Sequence, residues 1–197
     1  HLQYLSLESR YKKDKLSVTS DLENFLRAYP SSRETGKAQL LLADIYSHTD
    51  RPHEAIALYT ALSAPSRSLD LRIPALEALT KLYGQSGEQQ KSLDSWRKLY
   101  AIEGLETPQH AQYGLSLVRV AYDQKDYKLA KGITSELLQR HDLASSTREE
   151  LQLFLAKSEE ALGAINPALK AYEPLLKNTD SPAGAEGCVR HAGLLLQ

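Results

Sequence analysis

A spacing of 37 to 38 residues constrains this chain more than any other feature. Phe25, Leu62, Leu99, Leu137 and Leu175 recur at intervals of 37, 37, 38 and 38 residues. Seven residues before each stands a small or compact residue: Val18, Ala55, Ser92, Ala130 and Ala168. Three residues before each stand Leu22, Tyr59, Trp96, Thr134 and Tyr172. Parallel series at one period mark stacked structural repeats, each too small to bury its apolar face alone. Within a unit the local period is helical. Ala38, Leu41, Leu42, Ile45 and Tyr46 form an i, i+3, i+4, i+7, i+8 stripe, repeated as Ala75, Ala78, Leu79, Leu82 and Tyr83. Such spacing puts all five side chains on one helix face. A second stripe follows as Ala55, Tyr59, Leu62 and again as Ser92, Trp96, Leu99. Each unit is therefore expected to hold two amphipathic helices, A then B, in an all-α fold.

The punctuation supports this division. Asn166-Pro167, Thr107-Pro108 and Ser181-Pro182 each place a capping residue before a proline suited to the first helical position. Ser146 with Glu149 has the spacing of a capping box. Pro30-Ser31-Ser32 closes one helix and offers a cap to the next. Pro74 fits only a first helical turn, with Asp70 as the expected cap. The units are expected at about 2–32, with a poorly defined first helix, then 37–67, 73–103, 108–141 and 147–178. One further helix is expected over 182–197, with Cys188, Ala192, Leu195 and Leu196 on a face that lacks a partner helix.

These residues resemble tetratricopeptide repeats over nearly the whole chain. Leu42-Ala43 with Tyr46, and Leu79-Thr80 with Tyr83, match the family's helix A. Ala55-Tyr59-Leu62, Ser92-Trp96-Leu99 and Ala168-Tyr172-Leu175 match its helix B, and Tyr122 to Ala130 resembles its hairpin turn. The resemblance implies a right-handed superhelical solenoid of antiparallel hairpins. Close helix contact is expected where Ala43 faces Ala55 and Ala156 faces Ala168. The family period is about 34 residues, so each unit here is longer, chiefly between helix B and the next helix A, as in Ser63 to Arg72. The family's closing proline is present at Pro30 but replaced by Arg67, Gly104, Asp142 and Asp180. The stretch from Phe25 to Pro30 and onward to Leu42-Ala43 is similar to bacterial cell-envelope members of the family, including outer-membrane assembly lipoproteins and accessory proteins of the Tol-Pal system. That similarity favours a periplasmic or cell-envelope location, with a cytoplasmic one as the alternative.

In this family helix A lines the concave binding side. Its register nominates Leu40, Glu77, Leu115 and Leu153 on one row, Asp44, Lys81, Arg119 and Lys157 on another, and Tyr122 beside them. Three successive cations flanked by leucines and a tyrosine imply a groove for a peptide or protein segment carrying acidic and apolar residues. The asparagines, Asn24, Asn166 and Asn178, are not where a chaperone-tail carboxylate clamp needs them.

Other chemistries find less support. The formal charge is -1, from 24 basic and 25 acidic residues, without the basic surplus of a nucleic-acid binder. No phosphate loop or nucleophile elbow occurs, and Gly84-Gln85-Ser86-Gly87 reads as a hairpin turn. Cys188 with His191, and His48, Asp50 and His53, fall short of a zinc ligand set and read as packing and a solvated turn. Glu149-Glu150 and Glu159-Glu160 read as helix-surface carboxylates. No catalytic residue, metal or cofactor is expected. A single cysteine excludes an internal disulfide, and no apolar run of about eighteen residues is present to insert in a membrane. With His1 at its start and no methionine, the chain reads as a piece of a longer protein, which residues 182–197 are suited to contact. A structural or self-assembly module is the alternative reading.

Overall fold

The computed structural model describes residues 2–196, and their regular structure is all helical: eleven α-helices and two short 3-10 turns. The chain divides into two compact units, the first ending at Ser95 and the second beginning at Trp96. The first holds α1 (Leu2–Lys13), a 3-10 turn at Leu16–Val18, α2 (Thr19–Ala28), α3 (Thr35–Ser47), α4 (Pro52–Leu62) and α5 (Leu69–Gln85). Helix α6 (Gln89–Tyr100) contains the boundary. The second unit continues with α7 (Thr107–Asp123), α8 (Tyr127–Leu138), α9 (Ser145–Ala161), α10 (Ile165–Tyr172), a 3-10 turn at Glu173–Lys177 and α11 (Pro182–Leu195).

Consecutive helices pair as antiparallel hairpins, α3 on α4, α7 on α8 and α9 on α10. Small residues sit where the pairing is tight. Ala43, Ala55, Val118, Ala130, Ala156 and Ala168 are all fully buried, the helix-B member lying twelve residues after the helix-A member in each hairpin. Thr80 and Ser92 hold the same positions, and Ser92 Oγ donates to the Thr80 carbonyl at 3.2 Å. A hydroxyl in that slot satisfies itself on the facing backbone, so a polar residue is tolerated without an orphaned group. Around these contacts the first unit buries Val18, Leu22, Ile45, Tyr59 and Leu62, and the second buries Leu117, Leu137, Leu151, Tyr172 and Leu175. Each fully buried side chain of this size contributes about 1.5–3 kcal/mol relative to exposure.

Three helix-A termini share one device at a 38-residue interval. Gly87, Lys125 and Gly163 have φ of 73°, 62° and 76°. The next amide in each case bonds back across the last turn: Glu88 to Tyr83, Asp126 to Ala121 and Ala164 to Glu159, each at 2.9 Å. This is the left-handed C-terminal closure that sends the chain into helix B.

Several helix starts differ from the sequence expectation. Helix α5 begins at Leu69 after Ser68, so Asp70 is inside the helix and Pro74 is its sixth residue, not a first-turn one. Helix α9 begins at Ser145, which places Ser146 in the first turn with no capping bond from the preceding Ala144. Glu149 accepts instead from Asn178 Nδ2 at 2.8 Å. Asn166 likewise lies inside α10, which starts at Ile165, and Thr107 is the first residue of α7 rather than its cap. Ser181 caps as expected, accepting from the Gly184 amide at 3.0 Å. Local capping preference is worth only about 1 kcal/mol and yields to packing.

Candidate functional clefts

Successive A helices leave an open cleft in each unit. In the first, α3 and α5 bound a cavity of about 420 Å³ lined by Leu40, Leu41, Asp44, Tyr59, Pro74, Glu77, Ala78 and Lys81, with Tyr11 from α1. Four of the nominated residues, Leu40, Asp44, Glu77 and Lys81, therefore meet here. Asp44 is held from the N-terminal side: the Tyr11 hydroxyl donates to it and Lys15 Nζ lies 2.8 Å from it. Burial alone would raise the Asp44 carboxyl, but the bonds from Lys15 and Tyr11, with the Lys15 charge, outweigh that and hold it below its ordinary value. The same environment raises the Tyr11 hydroxyl, through burial first and its bond to Asp44 second. Lys81 is exposed and meets no carboxylate at ion-pair distance among the described residues.

In the second unit, α9 and α11 bound a cavity of about 440 Å³. Leu153, Phe154, Pro182 and Ala183 give it apolar walls, and Glu149, Glu150, Lys157 and Glu186 supply charge. Leu153 and Lys157 are nominated residues, and Tyr122 adjoins them through an edge-to-face contact with Phe154 at 5.7 Å between centroids. Lys157 Nζ lies 5.2 Å from the centre of the Tyr122 ring and 5.4 Å from that of Phe154. It also pairs with Glu186 at 3.0 Å. Arg119 reaches from α7 to Glu150, its Nε donating at 2.9 Å. Two of the three cations expected to face a ligand are thus met by carboxylates of their own unit. Leu115 is buried and lines neither of the two cavities.

The remaining candidates are placed as follows. His48 turns its Nδ1 onto the Asp44 carbonyl at 2.8 Å, at the end of α3. Glu159 departs from the expected surface position: it is 8% exposed and paired with Lys131 at 2.9 Å. Glu160 accepts from the Tyr172 hydroxyl at 2.7 Å and pairs with Arg190 at 3.3 Å. Both carboxylates belong to the packing between helices. On α11, Gly184, Gly187 and Leu194 face inward, Cys188 is half-buried, and Val189, Leu195 and Leu196 are exposed.

Tyr11, Lys15, Phe154 and Glu186 escaped the sequence reading. Phe154 carried a usable signal, since it continues the series Leu41, Ala78 and Ser116 at the repeat interval. The first two of those line the other cleft. Tyr11 and Lys15 lie in the least regular unit and Glu186 on the last helix, where the register offers few neighbours for comparison.

No family model matches the chain, and no curated protein sequence matches it. Solved structures do. A tetratricopeptide repeat protein from Parabacteroides merdae ATCC 43184 superposes with a TM-score of 0.65 at 21% identity, over 100% of this chain and 73% of its own. The nearly identical TPR-like repeats of a Podosopora anserina protein described as a kinesin light chain superpose at 0.57 with 19% identity, over 88% of this chain and 93% of theirs. A single-substitution form of the latter gives 0.55 at 19% identity, over 91% of this chain and 95% of that one. The likeness establishes the fold as a tetratricopeptide-type solenoid of helix hairpins. No described helix is long and apolar enough to cross a membrane.

Proposed function

We propose that this chain is a non-catalytic scaffold that holds a peptide or protein segment against its A helices. The observation that carries this reading is the open cleft between successive A helices in each unit, with apolar walls and charged residues beside them. Apolar side chains of a partner gain most from such walls, while polar groups beside them set register. A protein partner suits the clefts better than a nucleic acid, because Arg119 and Lys157 are already offset by Glu150 and Glu186. A bacterial cell-envelope setting rests on the similarity of the Phe25 to Ala43 stretch alone.

The test is crosslinking capture from the native organism with the wild-type chain and a Leu40→Lys, Lys81→Glu variant whose helicity is unchanged. A protein captured by the first, lost by the second and crosslinked to α3 or α5 supports the reading. Equal capture by both removes the first cleft from it.

A second reading, self-assembly or docking through α11, is favoured by the exposure of Val189, Leu195 and Leu196 at 75%, 63% and 89%. Light scattering over a concentration series separates the two. A strict monomer at high concentration sinks self-assembly.

A further inference from the structure

The charges around the second cleft are not evenly balanced. Arg119 meets Glu150. Lys157 and Arg190 both meet Glu186, and Arg190 also meets Glu160. These contacts join cations and carboxylates in equal number. Glu149 stands apart. It accepts a neutral bond from Asn178 at 2.8 Å, and among the described residues no cation lies within ion-pair distance of it. The bond from Asn178 holds its carboxyl below the ordinary value, so it is charged at neutral pH. The cleft therefore carries one negative charge that its own unit leaves unneutralised.

The position of that charge is fixed. Ser181 caps α11, accepting from the Gly184 amide at 3.0 Å and donating to the Asn178 carbonyl at 3.1 Å. Asn178 in turn holds Glu149. One helical turn further along α9 lie Leu153 and Phe154, which face Pro182 and Ala183 across the cavity. A turn advances about 5.4 Å. An extended peptide places side chains of residues two apart on one side, about 6.6–7 Å apart. The two spacings match well enough for one ligand side chain to enter the apolar part while another reaches Glu149.

We infer that the cleft between α9 and α11 takes an extended peptide segment presenting a large apolar side chain and, two residues away, a lysine or arginine that pairs with Glu149. This deepens the scaffold reading and rests on it. It also reverses, for this unit, the acidic ligand that the row of cations implied: Arg119 and Lys157 are occupied within the unit, and the carboxylate is what remains. Charge complementarity thus selects a basic partner, and the Phe154 wall supplies the anchor.

A random twelve-residue peptide library selected on the whole chain tests this. The enriched peptides are then titrated against wild type, Glu149→Gln and Phe154→Ala, with helicity checked for each. Gln at 149 keeps an oxygen for Asn178, so the rim is retained while its charge is removed. Enriched peptides should carry Leu, Phe or Trp two residues from Lys or Arg. Their affinity should fall about two- to fivefold in Glu149→Gln, as for an exposed ion pair, and this difference should shrink as salt rises. Phe154→Ala should weaken them further. Acidic enriched peptides, or affinity indifferent to Glu149→Gln, overturn the inference, while continued sensitivity to Phe154→Ala leaves the scaffold reading standing. Indifference to both variants, or no enrichment, removes this cleft from the scaffold reading as well.

Discussion

Lys125 is the residue whose backbone and side chain disagree most. It holds φ of 62° where the matching positions at 38-residue spacing are Gly87 and Gly163. A Cβ in this region costs about 1 kcal/mol relative to glycine. Lys125→Gly should therefore raise stability by about 0.5–1 kcal/mol, read as a higher urea midpoint with unchanged slope. The opposite case is Gly184. A Cβ there would lie 1.8 Å from the Asn178 carbonyl oxygen, and that atom is backbone held by the Ser181 cap. Gly184→Ala should destabilise the second unit by about 1–3 kcal/mol. Chemical denaturation followed by circular dichroism measures both.

Asp44 ties stability to pH at the same scale. Its folded pKa lies below the unfolded value of about 4. Its contribution is therefore complete above that value and lost as pH falls through the folded pKa. Wild type should lose urea resistance between pH 5 and pH 3. Asp44→Asn should be weaker at pH 7 and lose less over that interval. Equal acid sensitivity in the two proteins would assign the loss to other carboxylates.

At the scale of the element, α5 is the exception. Pro74 is its sixth residue, so it has no amide for the Asp70 carbonyl and its ring crowds that group. The helix continues because Ala75, Leu76 and Leu79 bury their side chains within it. Tertiary burial of those residues outweighs a local penalty of up to about 3 kcal/mol. Pro74→Ala should restore the bond and raise stability by about 1–2 kcal/mol, since regained freedom in the unfolded chain takes back part of the gain. A drop instead would mean that the proline's place in the cleft wall matters more than its missing donor. Helix identity was legible from the 3.6-residue period beyond the poorly defined first helix, whereas several helix starts were not. Ser146, Asn166 and Thr107 are good capping residues that the fold places inside helices. A cap is a weak local preference, and a displacement of one or two residues is settled by which side chains reach the neighbouring helix.

Within each unit, contacts run mainly between helices that are neighbours in sequence, as in other stacked repeats. Local opening should therefore be graded within a unit. In the second, α11 exposes Val189 and Leu195, while α7 buries Tyr113, Leu117, Val118 and Ala121. Amide exchange should be fastest along α11 and slowest in α7 to α9, measured by mass spectrometry on peptide fragments.

The 37- to 38-residue interval, with its small and large positions, by itself determined the hairpins and the residues that pack between them. It could do so because close helix approach admits only small side chains, and that demand recurs in each repeat. It also brought Leu40, Asp44, Glu77 and Lys81 to one cleft and Leu153 and Lys157 to another. What the sequence could not settle was charge. Whether Lys157 or Arg119 faces a ligand depends on carboxylates 29 and 31 residues further along the chain. Only the tertiary structure decides which side chains come within 4 Å. Coulombic pairing depends on those distances through space, and no repeat register encodes them.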